Sequence, residues 1–118
     1  MRKIKFRVWC VNKNEWEKDI CVLSSSGEVL QIKNNHLISC RQDTHIVQQF
    51  TGLKDRNGKE IYEGDILDNA PQMIKVCWDS IGGKWFGHYV DKKRTSSFWM
   101  GNEFKNYKVI GNIYEIGY

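Results

Sequence analysis

The sequence has no run of apolar residues close to the ~20 that a helix needs to cross a lipid bilayer, so a transmembrane helix is not expected. Its first residues, MRKIKFRVWC, are basic but contain no apolar core, so we expect neither a secretory signal peptide nor a membrane partner. No segment repeats its apolar residues with the period of an α-helix, which disfavours a helical fold. These absences predict a cytoplasmic protein built from β-strands.

Cysteine pairs at metal-ligand spacing are also missing. The four cysteines are widely and irregularly spaced, at Cys10, Cys21, Cys40 and Cys77, with no C-x-x-C pair. Without a secretory signal they are expected to be free thiols in the cytosol, and a structural zinc site is not expected. The three histidines, His36, His45 and His88, do not pair with these cysteines at ligand spacing. We therefore predict no metal and no cofactor.

No motif for an enzymatic activity stands out. Gly82-Gly83 lacks the Lys-Ser/Thr that follows the glycines of a phosphate-binding loop, and no Gly-x-Ser-x-Gly elbow is present. Four acids in the middle of the chain could form a paired-carboxylate or metal site: Glu60, Glu63, Asp65 and Asp68. A turn in which Gly64 supplies a positive φ and Asp65 caps the backbone explains them better. The sequence predicts no catalytic residues and a protein that is not an enzyme.

Two turn signals organise the middle of the chain. Asn57-Gly58 lies between the apolar residues Leu53 and Ile61, and an Asn-Gly pair in such a position is a strong hairpin signal because both residues tolerate positive φ. The second signal is Glu63-Gly64-Asp65, after which another apolar run begins. Because the chain has one proline and ten glycines, its turns depend mainly on glycine.

Alternation of apolar and polar residues predicts strands on both sides of these turns. In the first strand the residues predicted to face the core are Ile4, Phe6, Val8 and Cys10. Residues 73–78, 84–90 and 107–114 are further predicted strands, with Gly111 as a candidate bulge, and residues 98–100 form a short strand or a 3₁₀ segment. Leu37-Ile38 and Arg41-Gln42-Asp43 are assigned to an irregular connection. Many short strands punctuated by glycine and asparagine favour an all-β barrel or sandwich.

Basic residues form two clusters in a chain whose formal net charge is 18 − 14 = +4. One cluster shares the outer face of the first predicted strand, and the other is a charged loop followed by Phe98 and Trp99. Small β-barrels bind nucleic acid with cations on phosphates and rings stacked on bases. The predicted nucleic-acid-binding residues are Lys3, Lys5, Arg7, Trp9, Lys92, Lys93 and Arg94. Two alternatives remain open: the strand face is merely solvated, and Trp9 packs beneath a neighbouring lobe.

Aromatic residues favour a protein interface. The sequence has five tryptophans, five tyrosines and five phenylalanines, more than the core of a 118-residue protein can readily hide. Some are therefore expected on the surface, and aromatic side chains are enriched in interfaces. Small barrels also have open strand edges that invite pairing with a second chain. Together with the segregation of acidic and basic segments, this predicts a homo-oligomer.

Three segments of the sequence resemble the YopX family. They are residues 5–9 (KFRVW), the central residues 49–55 and 57–66, and the closing residues 109–115 (VIGNIYE). The resemblance covers the whole length of the chain and keeps the order of the motifs. It implies a small protein of phages and prophages with an SH3-like β-barrel in its C-terminal part. No established activity attaches to the family, so the resemblance supplies no catalytic residues.

The fold expected from the residues and the resemblance together is all-β, with a small N-terminal β lobe at residues 1–48 packed on a C-terminal SH3-like barrel at residues 49–118. The expected function is that of a phage or prophage accessory protein in the cytoplasm of a bacterial host. It is predicted to be a non-enzymatic binding module that self-assembles and contacts a phage or host protein. The alternative is a nucleic-acid-binding small barrel that uses the basic and aromatic face.

Overall fold

The computed structural model describes residues 5–22, 28–41, 43–70, 72–90, 97–99 and 102–116. These residues form antiparallel β-sheets with one 3₁₀ helix and one α-helical turn, which confirms the prediction of an all-β protein. The strands are β1 (Phe6–Cys10), β2 (Glu15–Trp16), β3 (Ile20–Val22), β4 (Val29–Lys33), β5 (His36–Ser39), β6 (His45–Lys54), β7 (Glu60–Tyr62), β8 (Asp65–Asn69), β9 (Gln72–Asp79), β10 (Lys84–Tyr89), β11 (Ser97–Trp99) and β12 (Lys108–Asn112). The 3₁₀ helix is Asn102–Asn106, and helix α1 is Ile113–Ile116.

The chain forms two compact units, a smaller one at Lys5–Gln49 and a larger one from Phe50 onward. In the smaller unit, β1 lies between β2 and the first half of β6, with Trp9 opposite Trp16 and Cys10 opposite His45. A second sheet of this unit has the strand order β3-β4-β5. Leu37 and Ile38 therefore belong to a regular strand, and the predicted irregular connection is wrong for these two residues.

The end of β1 is buried on both faces, so its predicted alternation does not hold there. Val8 and Cys10 are buried as expected, but Trp9 is only 4% exposed. The cause is the neighbouring strand, because the Trp16 ring meets the Trp9 ring edge to face with centroids 4.9 Å apart. Because the Trp16 side chain of β2 packs on Trp9, neither face of β1 is exposed to solvent at this position.

The larger unit contains a five-stranded antiparallel sheet in the order β11-β10-β9-β8-β12. Alternating residues of β9 face its core, so that Ile74 and Val76 are buried while Trp78 at the strand end is exposed. The buried cluster around them consists of Ile61, Leu67, Ile74, Val76, Trp85, Phe104, Tyr107 and Val109. Phe104 enters this cluster from the 3₁₀ helix, an element that the sequence did not predict.

Two buried aspartates fix the turns of the larger unit. Gly58 takes a positive φ of 80°, and the Asp55 carboxylate accepts the backbone N–H groups of Asn57 and Lys59 within the turn. Gly64 has a φ of 81°, and Asp65 Oδ2 accepts the N–H of Tyr62 at 2.8 Å. The second arrangement confirms the turn cap predicted from Glu63-Gly64-Asp65. A structural role in the turn is therefore established for Asp65.

The end of the chain departs from the sequence expectation in one respect. The pairing of β12 with β8 shifts register between Val109 and Gly111, which confirms the predicted bulge. Ile113 and Tyr114, however, belong to helix α1 and do not continue the strand. Asn112 Oδ1 accepts the N–H of Tyr114 at 3.2 Å, so the last strand residue caps the helical turn that follows.

Candidate functional site

Three of the predicted nucleic-acid-binding residues lie in the described part of the chain, and they do not form an open cationic face with a stacking ring. Lys3, Lys92, Lys93 and Arg94 lie outside the described residues. Lys5 and Arg7 are half-buried, and Arg7 Nε donates to Gln48 Oε1 at 3.2 Å. The Arg7 guanidinium also lies 4.1 Å from the centroid of the Trp16 ring.

The prediction that Trp9 is a stacking platform for a nucleic-acid base does not agree with its position in the fold. Its ring is packed against Trp16 inside the smaller unit, so it offers no face on which a base could stack. Trp9 is thus buried by Trp16 of its own unit, which differs from both alternatives that the sequence left open. A basic surface is found elsewhere, in the larger unit.

The larger unit has a cavity of about 420 Å³ beside the Asp55 turn, with cationic walls. Its residues are Gly52, Leu53, Lys54, Asp55, Arg56, Phe104 and Lys105. Lys54, Arg56 and Lys105 are exposed, whereas the buried Asp55 carboxylate already accepts three backbone N–H groups. The net positive charge of this wall suits an anionic ligand. These basic residues come from two separate segments, so no local pattern in the sequence predicts that they lie together.

The smaller unit brings a cysteine, a glutamate and a histidine together. The β1–β6 pairing places Cys10 opposite His45, and the N–H of Glu17 donates to the carbonyl of Val8 one strand away. One potential ligand atom from each of Cys10, Glu17 and His45 lies within 4.8 Å of the other two. Although the histidines and cysteines are not at ligand spacing along the sequence, the fold brings His45 close to Cys10. Spacing along the chain missed it, because antiparallel pairing joins residues that are distant in sequence.

Glu17 is the charged centre of this group. Its side chain is 2% exposed, with Oε1 lying 3.0 Å from Lys13 Nζ and Oε2 accepting Gln31 Nε2 at 2.6 Å. Burial raises the pKa of Glu17, but the hydrogen bonds from Lys13 and Cys10 and the charge of Lys13 outweigh it and set that pKa below its usual range. Glu17 is therefore a buried carboxylate that is ionised at neutral pH.

One backbone contact and one side-chain contact fix the orientation of His45. The Nδ1 atom lies 3.0 Å from the carbonyl oxygen of Arg41 and 3.0 Å from Thr44 Oγ1. Because a carbonyl oxygen can only accept, we assign the proton of the neutral imidazole to Nδ1. Nε2 then carries the lone pair, and it lies 3.9 Å from Glu17 Oε1.

A cavity of about 320 Å³ opens beside the cysteine and the histidine. Cys10, Lys13, Cys40 and His45 contribute to its wall, as do polar residues of the neighbouring strands. Burial raises the pKa of the Cys40 thiol, and the negative charge of Glu17 adds to that effect. Cys40 therefore lines the same cavity as Cys10 and His45, and its thiol is close enough to Glu17 to be affected by the carboxylate charge.

An apolar strand edge is the second exposed feature of the smaller unit. All four residues of β5 are exposed, and β5 is the last strand in the order β3-β4-β5. Leu37 is 65% exposed and lies opposite Ile32 on β4, which is also exposed. Ile38 projects from the other face of the same strand and is exposed as well. Outward apolar residues on a sheet edge are typical of interaction surfaces.

The fold defines the chain as an all-β protein of curled antiparallel sheets. It matches the model of the YopX protein family over residues 5–116 and belongs to that family. The crystal structure of protein EF1440 from Enterococcus faecalis is similar, with a TM-score of 0.59, 23% sequence identity, and coverage of 99% of this chain and 97% of that chain. At that identity the likeness shows the fold alone. No curated protein matches the chain.

Along the described residues, the structure contains no helix of the length and hydrophobicity needed to span a membrane.

Proposed function

We propose that this YopX-family chain is a non-enzymatic phage or prophage accessory module that acts in the cytoplasm of a bacterial host. It works by binding: it self-assembles and contacts a protein partner. The observation that carries this proposal is the exposed β5 edge with its outward Leu37 and Ile38. The exposed Trp78 and Tyr114 of the larger unit are further contact points for a partner, as the aromatic content predicts.

The partner expected to pair with the edge of β5 is a second copy of the chain. An edge strand presents unpaired N–H and C=O groups, and monomeric proteins commonly blunt such edges with lysine or proline. The strand His36–Ser39 carries neither. When a strand pairs with its own copy about a two-fold axis, the contact is isologous and its apolar residues meet apolar residues. No like charges of β5 oppose this pairing.

Exchanging Leu37 for lysine (Leu37→Lys) is expected to convert the oligomer to a monomer at micromolar concentration. A lysine on the edge must be desolvated when a second strand pairs there, and it would face its own copy as a like charge. Molar mass measured by light scattering after size-exclusion chromatography tests this expectation. Circular dichroism of the variant verifies that the folded β structure is kept.

The matched control is Ile81→Lys, which adds the same charge at a turn residue that is 97% exposed. This control is expected to keep the molar mass of the wild type. A wild-type protein that stays monomeric at all accessible concentrations would contradict self-assembly. So would equal dissociation by both substitutions, because the effect would then come from net charge and not from β5.

The architecture proposed for the binding module is an SH3-like barrel in the larger unit. Two features support it: five short antiparallel strands follow one another, and the last strand, β12, returns to pair with the first, β8. The 3₁₀ helix sits directly before β12 and supplies the buried Phe104. Small barrels of this kind host many unrelated binding functions, so the function must rest on the surfaces described above.

Nucleic-acid binding is the second candidate function, and the cationic cavity at Lys54, Arg56 and Lys105 favours it. Replacing all three by alanine is expected to weaken binding to every DNA or RNA sequence and to reduce the slope of log K against log salt. Fluorescence anisotropy with single- and double-stranded probes measures both quantities. Alanine at the exposed Lys18 and Lys33 of the other unit is the control. Absence of binding by the wild type at ~50 mM salt would remove this candidate.

A further inference from the structure

We propose that Cys10, Glu17 and His45 form a zinc-binding site in the smaller unit. The three side chains supply a sulfur, an oxygen and a nitrogen whose potential ligand atoms lie within 4.8 Å of one another. Thiolate, imidazole and carboxylate are the ligands that Zn²⁺ takes in proteins, at about 2.0–2.3 Å. A thiolate in the set disfavours Mg²⁺ and Ca²⁺, which prefer oxygen ligands.

The spacing of the three side chains requires little movement to close on a metal ion. Ligand atoms around a tetrahedral zinc lie about 3.3–3.7 Å apart, as follows from the bond lengths. His45 Nε2 and Glu17 Oε1 are already 3.9 Å apart. Small rotamer adjustments therefore suffice, and the paired strands that carry Cys10 and His45 can keep their register.

The surroundings of His45 are those of a metal ligand. A ligating histidine usually donates its other ring N–H to a backbone carbonyl or a carboxylate, which fixes the tautomer. His45 Nδ1 has the carbonyl oxygen of Arg41 at 3.0 Å, which leaves Nε2 as the nitrogen able to bind a metal. Gln31 Nε2 supports Glu17 in the same way, because it donates to Oε2 at 2.6 Å. Each of these two ligands thus has an outer partner.

The same three residue types also occur in nucleophilic triads, but the geometry here differs. In a triad the acid holds the imidazole by the nitrogen that points away from the nucleophile. In this chain that distal position, at Nδ1, belongs to the Arg41 carbonyl, while Glu17 lies on the Nε2 side. The acid and the imidazole therefore converge on one point, which favours metal binding over catalysis.

Lys13 forms an ion pair with the Glu17 carboxylate. Its ammonium lies 3.0 Å from Oε1, but the Lys13 side chain is 46% exposed and can turn into solvent. Zinc and the ammonium therefore compete for one carboxylate. The wall of the cavity contains Cys40 together with Cys10 and His45, so the Cys40 thiolate or a water molecule would be the fourth zinc ligand.

The experiment measures Zn²⁺ binding to the full chain by calorimetry, with Co²⁺ as a spectroscopic probe. One Zn²⁺ per chain is expected, with release of the Cys10 thiol proton, and the Co²⁺ form is expected to show a thiolate charge-transfer band. Since loss of an outer-sphere partner alone costs about 10–100-fold in metal affinity, Cys10→Ser and His45→Gln are each expected to cost more than ~100-fold. Lys13→Ala is expected to tighten binding several-fold, and Cys40→Ser weakens it if the thiolate is the fourth ligand.

Matched controls are Cys77→Ser and His88→Gln in the larger unit, which are expected to bind Zn²⁺ like the wild type. Leu37→Lys, which breaks the proposed β5 contact, is also expected to keep wild-type zinc affinity, so the two proposals fail separately. Equal loss in Cys77→Ser, or unchanged affinity in Cys10→Ser, would overturn the site. A wild-type Co²⁺ spectrum without a sulfur band would overturn it without any variant, even where Cys10→Ser fails to fold.

Discussion

Replacing Asp55 by alanine (Asp55→Ala) is expected to lower the free energy of unfolding by about 3–5 kcal/mol, because three backbone donors lose their acceptor. The carboxylate accepts the N–H groups of Asn57 at 2.9 Å, Lys59 at 2.8 Å and Val109 at 2.9 Å. A buried donor left without a partner costs about 1–3 kcal/mol. The Val109 bond is buried and joins β12 to the turn, so water cannot easily replace it. Urea denaturation of the full chain measures this loss.

Asp79→Ala is the matched control for this experiment. Asp79 also accepts a backbone N–H in a turn, from Ile81 at 3.0 Å, but that bond is exposed and water can take it over. Its loss is expected to cost less than ~1 kcal/mol. An equal loss in the free energy of unfolding for the two substitutions would contradict this explanation. It would mean that the buried hydrogen bond between Val109 and Asp55 adds nothing beyond turn formation.

The dependence of stability on pH provides an independent test of Asp55. Burial raises the pKa of this carboxyl, but the N–H groups of Val109, Lys59 and Asn57 outweigh it and hold that pKa below its usual value. A lowered folded-state pKa means that the stabilisation is complete above the unfolded value of about 3.9 and is lost as the pH falls through the folded value. The stability difference between wild type and Asp55→Asn should therefore shrink below about pH 4. A constant difference down to pH 2 would contradict this cause.

Replacing Phe104 by alanine (Phe104→Ala) is expected to destabilise the protein by about 3–5 kcal/mol, the usual cost of deleting a buried aromatic ring. Phe104 is 1% exposed, and its ring stacks on Tyr107 with centroids 5.4 Å apart. The 3₁₀ helix holds the ring in the core, so the neighbouring residues can collapse into the vacated space only in part. Thermal and urea unfolding measure the effect.

Two variants separate packing at Phe104 from other causes. Phe104→Leu keeps most of the apolar volume and is expected to cost about half as much as alanine. Ile81→Ala removes apolar atoms from an exposed turn and is expected to stay within about 0.5 kcal/mol of the wild type. A loss below ~1 kcal/mol for Phe104→Ala would mean that the 3₁₀ helix does not anchor the core of the larger unit.

Local patterns predicted the features that depend on neighbours in sequence. Glycine at positions 58 and 64 supplied the positive φ that the turns need, and Asp65 capped its turn as expected. The alternation of β9 placed Ile74 and Val76 in the core, and Gly111 marked the bulge of β12. Each of these features follows from backbone sterics or from the two-residue period of a strand.

Features that depend on strand pairing could not be predicted in the same way. Trp9 was expected to be exposed because its own strand alternates, but Trp16 on the paired strand covers it. Leu37 and Ile38 carry no alternation, yet pairing with β4 makes them a strand. The 3₁₀ helix was missed because it spans a single short element with no period to detect.

Residue order and local backbone preferences were enough to predict that the chain is all-β, where its tight turns lie and which family it resembles. Three features came from the pairing of the strands: Cys10 lies close to His45 and Glu17, Trp9 is buried, and β5 is an exposed apolar edge strand among the described residues. Strand pairing is set by the burial of apolar side chains over the whole sheet. A short segment of sequence does not show which distant segment will pair with it.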